Sequence, residues 1–507
     1  MDFLTDFIYQ FFKPRNKRID RYTMEAGDIQ EQQLRRLLEQ AKNTSWGKKY
    51  DYKHVAGYDD YKNRFPVQCY DQLKGDIQRM LSGEPNVLWP GMVHWFAKSS
   101  GTTSDKSKFL PVTPEILKQC HYQGGFDTVC LYLRNNPSSH FFRRKGLILG
   151  GSHSPSPINA QIHCGDLSAV LLQNLNPLVN LVRVPRKEII LMDEWESKIK
   201  AIVESTWRED VNSLSGVPSW MLVLIKAILK KSGKTYLTEV WPNLEVFFHG
   251  GISFTPYREA YKSLIPSDKM HYMETYNASE GFFGIQDDPS DPSLLLMLDY
   301  GIFYEFIPMS ELDSENPSVV PLTGVEVGKN YAMVISTAGG LWRYLIGDTV
   351  RFTSVSPYKF VISGRTKHFI NAFGEELMVN NADRALHEAC VATGARIKEY
   401  TAAPLFLLDR AKGRHQWLIE FEKAPESLTQ FASLLDEALQ HANSDYEAKR
   451  YKEISVQPLE VIAAHEGCFY RWLSSKGKLG GQHKIPRLSN DRKILDELLV
   501  INRQMGE

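Results

Sequence analysis

Short apolar runs, each closed off by Gly, Pro, Asn or Ser and separated by helix-length amphipathic stretches, constrain this chain more than any other feature. KGLILG around Leu147, LEVFFHGG around Val246, YAMVIST around Val334 and KFVISG around Val361 have the length and flanks of buried strands. Helical patterns fall between them, at Glu194 to Glu204 and Pro218 to Lys231. Strands alternating with helices build α/β architecture, because each crossover helix covers a face of the sheet. A chain of 507 residues also exceeds what one hydrophobic core organises, so a large and a small domain are expected. After Arg365 the pattern restarts, with a helix from Asn381 to Thr393, a strand at WLIEFE, a helix from Leu428 to Asn443 and a polar, basic tail. The expected division is therefore a large N-terminal α/β domain over 1–365 and a small α+β domain over 366–507, with a hinge near 364–367.

Charge and cysteine usage exclude several classes of function. Lys+Arg and Asp+Glu both number 60, so no overall positive field gathers a phosphate backbone or anionic lipid, and neither nucleic acid nor membrane is expected as a partner. Six cysteines are scattered without a CxxC pair or zinc spacing, which reads as reduced thiols and a cytoplasmic location. MDFLTDFIYQFF carries Asp2 and Asp6 within its apolar stretch and has its basic cluster, KPRNKR, afterwards. That reverses a secretory signal and predicts a docked helix. The run MLVLIKAIL is interrupted by Lys226 and is far shorter than the roughly 20 residues that cross a bilayer. No obligate protein partner is evident.

Three segments carry chemistry. Ser99, Ser100, Gly101, Thr102, Thr103 and Ser104 follow VHWFAK and precede Asp105, Lys106 and Lys108. A small-residue loop leaving a strand lets N–H groups and hydroxyls close around phosphate oxygens, although alone such a run is more often a plain polar turn. Tyr276, Asn277, Ala278, Ser279, Glu280 and Gly281 follow KMHYMET. There an aromatic ring could stack on a purine and a carboxylate could serve Mg²⁺; the alternative is a strand-end turn with a packed Tyr and a solvated Glu. In LWRYLIGDTV, Gly347 permits a tight turn and Asp348 is placed to accept from two vicinal hydroxyls, or else to bond its own backbone. Arg365, in GRTK, could read ribose or phosphate or form a surface ion pair.

In this order and spacing the segments resemble the adenylate-forming superfamily of luciferases, acyl-CoA synthetases and peptide-synthetase adenylation domains. They resemble most closely its acyl-acid amido synthetase branch, known from plant auxin and jasmonate conjugation. SSGTT, YNASEG and LWRYLIGD look like that branch's nucleotide motifs, and FPVQCYDQLKGDIQRML, FFHGGISFTPY and GQHKIPRLSNDR extend the resemblance over most of the chain. It implies a large adenylate-forming domain that binds ATP and an acyl acid, and a small domain that is mobile about Lys367. Carried over by position, Ser99, Ser100, Thr102 and Thr103 would hold the ATP phosphates. Gly250 and Gly251 would let backbone approach the adenine, which Tyr276 would face. Ser279 would contact the α-phosphate, Glu280 would bind Mg²⁺, Asp348 the ribose, and Arg365 would act near the hinge. Lys484 would be the lysine brought in for adenylation. Asp105 stands where many relatives have glycine, and it puts negative charge near the triphosphate.

The activity implied is adenylation of a small carboxylic acid, followed by acyl transfer to an amino acid's amine. An acid–thiol ligase would share the first half of that chemistry, and a catalytically silent nucleotide sensor would share the fold. For the acyl pocket, the helix after the first motif with His121, Tyr122 and Phe126, and GVPSWM with Val217, Trp220 and Met221, offer apolar surface, with core packing as the alternative. His249 and His483 lack metal-ligand spacing and read as structural or peripheral.

Overall fold

The computed structural model describes residues 2–99, 108–151, 156–175, 179, 182–251, 254–312, 314, 316–366, 369–370, 372–373, 375, 377–406, 413–443, 446–447, 450, 456–476 and 485–506. By compactness the chain divides into two units, 1–252 with 267–361, and 253–266 with 362–507. The second unit thus begins at 362, within the strand Tyr358–Arg365, and it includes a segment, 253–266, that the sequence division leaves in the large domain.

The first unit is built on a mixed sheet. Strands Arg183–Val184, Lys145–Ile148, Val211–Gly216, Val246–Gly250 and His271–Ala278 lie side by side and parallel. Helices Trp195–Thr206 and Pro218–Ser232 fall between them in the chain, as parallel neighbours require a crossover. Beyond His271–Ala278 the order runs through Gly281–Ile285, Leu294–Leu296, Tyr358–Arg365, Tyr344–Val355, Asn330–Thr337, Ile302–Pro308 and Val320–Pro321, and the pairings turn antiparallel. Helix Pro218–Ser232 starts on a proline, whose missing N–H costs nothing at a first turn. Its Met221, Leu224, Ile225 and Ile228 are fully buried, which accounts for the MLVLIKAIL run as core. No helix among the described residues is long and apolar enough to cross a membrane.

The N-terminal segment forms the expected docked helix, Phe3–Asp20, capped by Asp2, which accepts from the Leu4 and Thr5 N–H groups at 3.0 and 3.2 Å. Its anchor is charge. Arg15 donates to both oxygens of the fully buried Asp127 at 2.7–3.0 Å and to Asp299 at 2.8 Å. Tyr300 donates to Asp127 at 2.7 Å, and Tyr22 donates to Asp299.

In the second unit, strands Arg396–Phe406, Gly413–Lys423 and Glu460–Ala464 form a sheet. Alternate residues of the middle strand face different cores. Trp417 and Ile419 pack with Leu386, Phe431 and Leu435 from helices Val379–Thr393 and Leu428–Ala442. Leu418 packs instead with Phe469 and Leu498 from helices Cys468–Ser475 and Lys493–Gly506. The period of two places helices on both faces.

Arg15→Ala strands the buried Asp127 carboxylate without its counter-charge. Urea unfolding should report a loss of about 3–5 kcal/mol, whereas Arg21→Ala, whose side chain is exposed, should leave the midpoint nearly unchanged.

Candidate active site

In open α/β sheets the carboxyl ends of parallel strands are where ligands are met, at the point where strand order changes. In the first unit that point is strand His271–Ala278, which is parallel to one neighbour and antiparallel to the other. Gly250 ends the adjacent parallel strand opposite Thr275, and a Cβ there would stand 2.3 Å from the Thr275 carbonyl oxygen. Only glycine allows the two backbones to come so close. Gly251 follows in an exposed bend. Ser279 and Glu280, both half-buried, form the two-residue turn that joins Ala278 to its partner Gly281.

Asp348 reaches this place on a bulge. Strand Tyr344–Val355 pairs with Asn330–Thr337 at Val334↔Leu345 and next at Ala332↔Thr349, so Met333 alone stands opposite Ile346, Gly347 and Asp348. Gly347 takes φ +89 there. Bulges re-aim side chains next to sites. The re-aimed Asp348 carboxylate accepts from the Tyr276 hydroxyl.

That bond gives Tyr276 a different setting from an open purine platform. Its ring is 6% exposed, 4.9 Å from Phe283 and 6.1 Å from Phe360, edge-on to both. On the neighbouring position the exposed Asn277 meets His121, whose Nδ1 lies 3.0 Å from Asn277 Oδ1. His121 is on a single wide turn, Leu117–Tyr122, of the kind that recurs at functional sites. Burial pushes its imidazole down to about 4, so it is neutral at physiological pH. Neither the Tyr276–Asp348 bond nor the His121–Asn277 bond has a local signal, since each joins residues far apart in the chain.

Ser99 closes an antiparallel hairpin by pairing with Lys108, and Phe109 N–H donates to Tyr70 OH at 2.9 Å. The connecting Ser100, Thr102, Thr103 and Asp105 lie outside the described residues, as do Lys367, His483 and Lys484. Arg365 ends its strand in the second unit. Of the apolar candidates, Tyr122 is half-buried and donates to the Leu171 carbonyl at 3.0 Å. Val217 is half-buried ahead of its helix, and Trp220 lies edge-on to Trp195 at 4.5 Å. Phe126 packs at 4.2 Å on Phe12 of the N-terminal helix, and Met221 is fully buried. Met221 belongs to the unit's own core, whereas Phe126 keeps 38% of its surface exposed. Among the described residues no group of three or more His, Cys, Asp or Glu is gathered to hold a metal ion.

Residues 15–270 match the GH3 family N-terminal domain, 295–365 its central domain and 380–493 its C-terminal domain. The chain belongs to the GH3 family. It is 25% identical to the indole-3-acetic acid-amido synthetase GH3.4 of Arabidopsis thaliana, over 96% of this chain and 93% of that protein. It is also 25% identical to the indole-3-acetic acid-amido synthetase GH3.8 of Oryza sativa subsp. indica, over 92% and 89%. Among solved structures, the GH3.15 acyl acid amido synthetase in complex with 2,4-DB has the same fold, with TM-score 0.76 and 18% identity over 96% of each chain. A 2-hydroxyisobutyryl-CoA ligase in the postadenylation state shares the fold more distantly, at TM-score 0.55 and 12% identity over 97% of this chain and 92% of that one. The GH3 chain is therefore an α/β protein with the fold of these synthetase and ligase structures, with a large sheet-based unit and a smaller C-terminal one.

His121 should leave a mark on acid stability. Its folded value lies below the ordinary 6.5 of the unfolded chain, so the unfolded state binds the extra proton and stability falls as pH drops from about 6.5 to 4. Relative to His121→Gln, the native protein should lose about 3 kcal/mol across that window, read from urea midpoints at each pH. Parallel curves for the two proteins would rule this out.

Proposed function

We propose that this GH3 protein is an ATP-dependent acyl-acid amido synthetase, a ligase that activates a small carboxylic acid as its acyl-adenylate and passes the acyl group to an amino acid. The observation that carries the reading is the meeting of the YNASEG and LWRYLIGD segments through Tyr276 and Asp348 in a chain matching all three GH3 domains.

A carboxylate resists attack because its leaving group would be oxide. In the first step a carboxylate oxygen attacks the α-phosphorus of ATP, a new P–O bond forms, and the bond to the β-phosphate breaks with pyrophosphate taking its electron pair. In the second, the amine nitrogen attacks the acyl carbon, the C–O bond to AMP breaks, and the nitrogen loses a proton as the amide forms. No side-chain nucleophile is needed, so the protein's work is alignment and charge stabilisation.

The donor set fits a nucleotide. The Tyr276 hydroxyl donates to Asp348 and fixes the carboxylate, an acceptor of the kind that ribose hydroxyls require. Gly250 brings backbone close at the strand end for the adenine, with Gly251 beside it. Tyr276 faces the adenine with its hydroxyl bonded to Asp348, rather than as an open stacking plate. Ser279 is assigned to the α-phosphate and Glu280 to Mg²⁺, which when bound neutralises phosphate charge; the position of both on a two-residue turn at the strand ends supports this. Ser99, Ser100, Thr102 and Thr103 complete the phosphate loop, and the hairpin base at Ser99 and Lys108 supports that role. Arg365 acts near the hinge. The small domain turns about Lys367 between the half-reactions, bringing Lys484 in for adenylation and then withdrawing it. A cytoplasmic location suits substrates of this kind.

The test is pyrophosphate exchange across aryl, indolyl and fatty acids, followed by product analysis with amino acids and with CoA. Exchange with at least one acid, and an amide rather than a thioester as product, is the expected result. A thioester product would make the protein an acid–thiol ligase, and tight ATP binding without exchange for any acid would make it a sensor. With the cognate acid, Glu280→Ala should lower exchange at limiting Mg²⁺ by about 100-fold. Tyr276→Phe keeps the ring packing and should raise the KM for ATP about tenfold with kcat nearly unchanged.

A further inference from the structure

Arg343 stands five residues before Asp348, buried and at φ +43, a conformation that side-chain-bearing residues take only when their surroundings compel it. Four neighbouring segments do so. Its Nε and one terminal nitrogen donate to both oxygens of the fully buried Glu305 at 2.8–3.1 Å. Its other terminal nitrogen donates to the carbonyls of Lys62, at 2.9 Å, and Phe65. The Arg343 N–H donates to Ser336 Oγ at 2.9 Å, and its carbonyl accepts from Gln68 N–H at 2.8 Å. Glu305 also accepts from Tyr58 at 3.1 Å, and Ser336 is bonded to Tyr61 at 2.6 Å.

From this clamp the strand has two register pairs, Ile335↔Tyr344 and Val334↔Leu345, before the bulge that holds Ile346, Gly347 and Asp348. Two pairs are a short purchase for a register. A slip of one residue would turn Asp348 to the opposite face, away from Tyr276. A guanidinium bonded to one carboxylate and two carbonyls fixes the strand's start in a way a single charge could not.

We infer that Arg343, held by Glu305, is a positioning residue that sets the register of the Asp348 bulge and thereby the protein's selectivity for the ribose hydroxyls. The inference rests on the assignment of Asp348 to ribose, and its test separates the two.

Calorimetric titration with ATP and with 3′-deoxy ATP, needing no acid substrate, gives a ratio of dissociation constants for the native protein, Asp348→Ala, Arg343→Lys, and the double variant Arg343→Met with Glu305→Met. The double variant leaves neither charge buried alone, and near-ultraviolet circular dichroism verifies its packing. The native protein should favour ATP by about tenfold or more, and Asp348→Ala should abolish that preference. The double variant should lose most of it, and Arg343→Lys should fall between. A purely structural role would lower the folded fraction and leave the ratio in place. If Asp348→Ala loses the preference while Arg343→Lys and the folded double variant keep the native ratio, the positioning role is overturned and the ribose assignment stands. If Asp348→Ala keeps the native ratio, the ribose assignment falls and the inference with it. Should the double variant not fold, Arg343→Lys decides by the same criterion.

Discussion

One hydrogen bond, from the Tyr276 hydroxyl to Asp348, joins two strands whose residues stand 72 positions apart in sequence. Gly250 ends the strand beside that of Tyr276, opposite Thr275. Tyr276 can reach because its ring is wedged edge-on between Phe283 and Phe360, so aromatic packing fixes the donor before any ligand arrives. Asp348 can be reached because the bulge turns it toward the same place. Three residues beyond Tyr276 comes the turn of Ser279 and Glu280, so the position of that turn is tied to the same bond. A site assembled this way is pre-ordered by the sheet, which lowers the cost of ordering charged groups when substrate binds.

Buried charge plays a second part in the first unit. Arg15 with Asp127 and Asp299, and Arg343 with Glu305, each bring together segments that have no neighbour relation along the chain. Such pairs gain little net stability over apolar packing, because desolvation consumes most of the attraction. What they exclude is misplacement. A guanidinium seated against two carboxylates, or against one carboxylate and two carbonyls, tolerates no slip of its helix or strand, since any slip leaves a buried charge unpaired.

Much of this was legible in the sequence where the signal is local. The apolar runs around Val246, Val334 and Val361 lie in strands, Pro218 to Lys231 lies in a helix, and the helix expected from Asn381 to Thr393 begins two residues earlier, at Val379. The three polar motifs pointed to the family because their order is a property of the chain itself. What escaped depends on partners that only folding brings together. Nothing near Tyr276 announces that its ring faces two phenylalanines and its hydroxyl a distant aspartate. Nothing near Phe126 announces Phe12 as its neighbour. The bulge at Gly347 was readable only as a permissive turn, because its register belongs to the pairing with Asn330–Thr337 and not to either strand alone. Segment 253–266 carries no composition break that would set it apart from the strands around it, yet it groups with the second unit.

The anchoring of the N-terminal helix also has a meaning for how the chain is made. Arg15 leaves the ribosome before its partners: Asp127 follows 112 residues later and Asp299 a further stretch on, 284 residues after Arg15. At about 5–20 residues per second, roughly 15–60 s pass between the synthesis of Arg15 and that of its last partner. Through that interval the helix has its apolar face and its charge but not its full seat. Its docking therefore falls late in synthesis, and a segment translated well before its partners is fixed in place only after them.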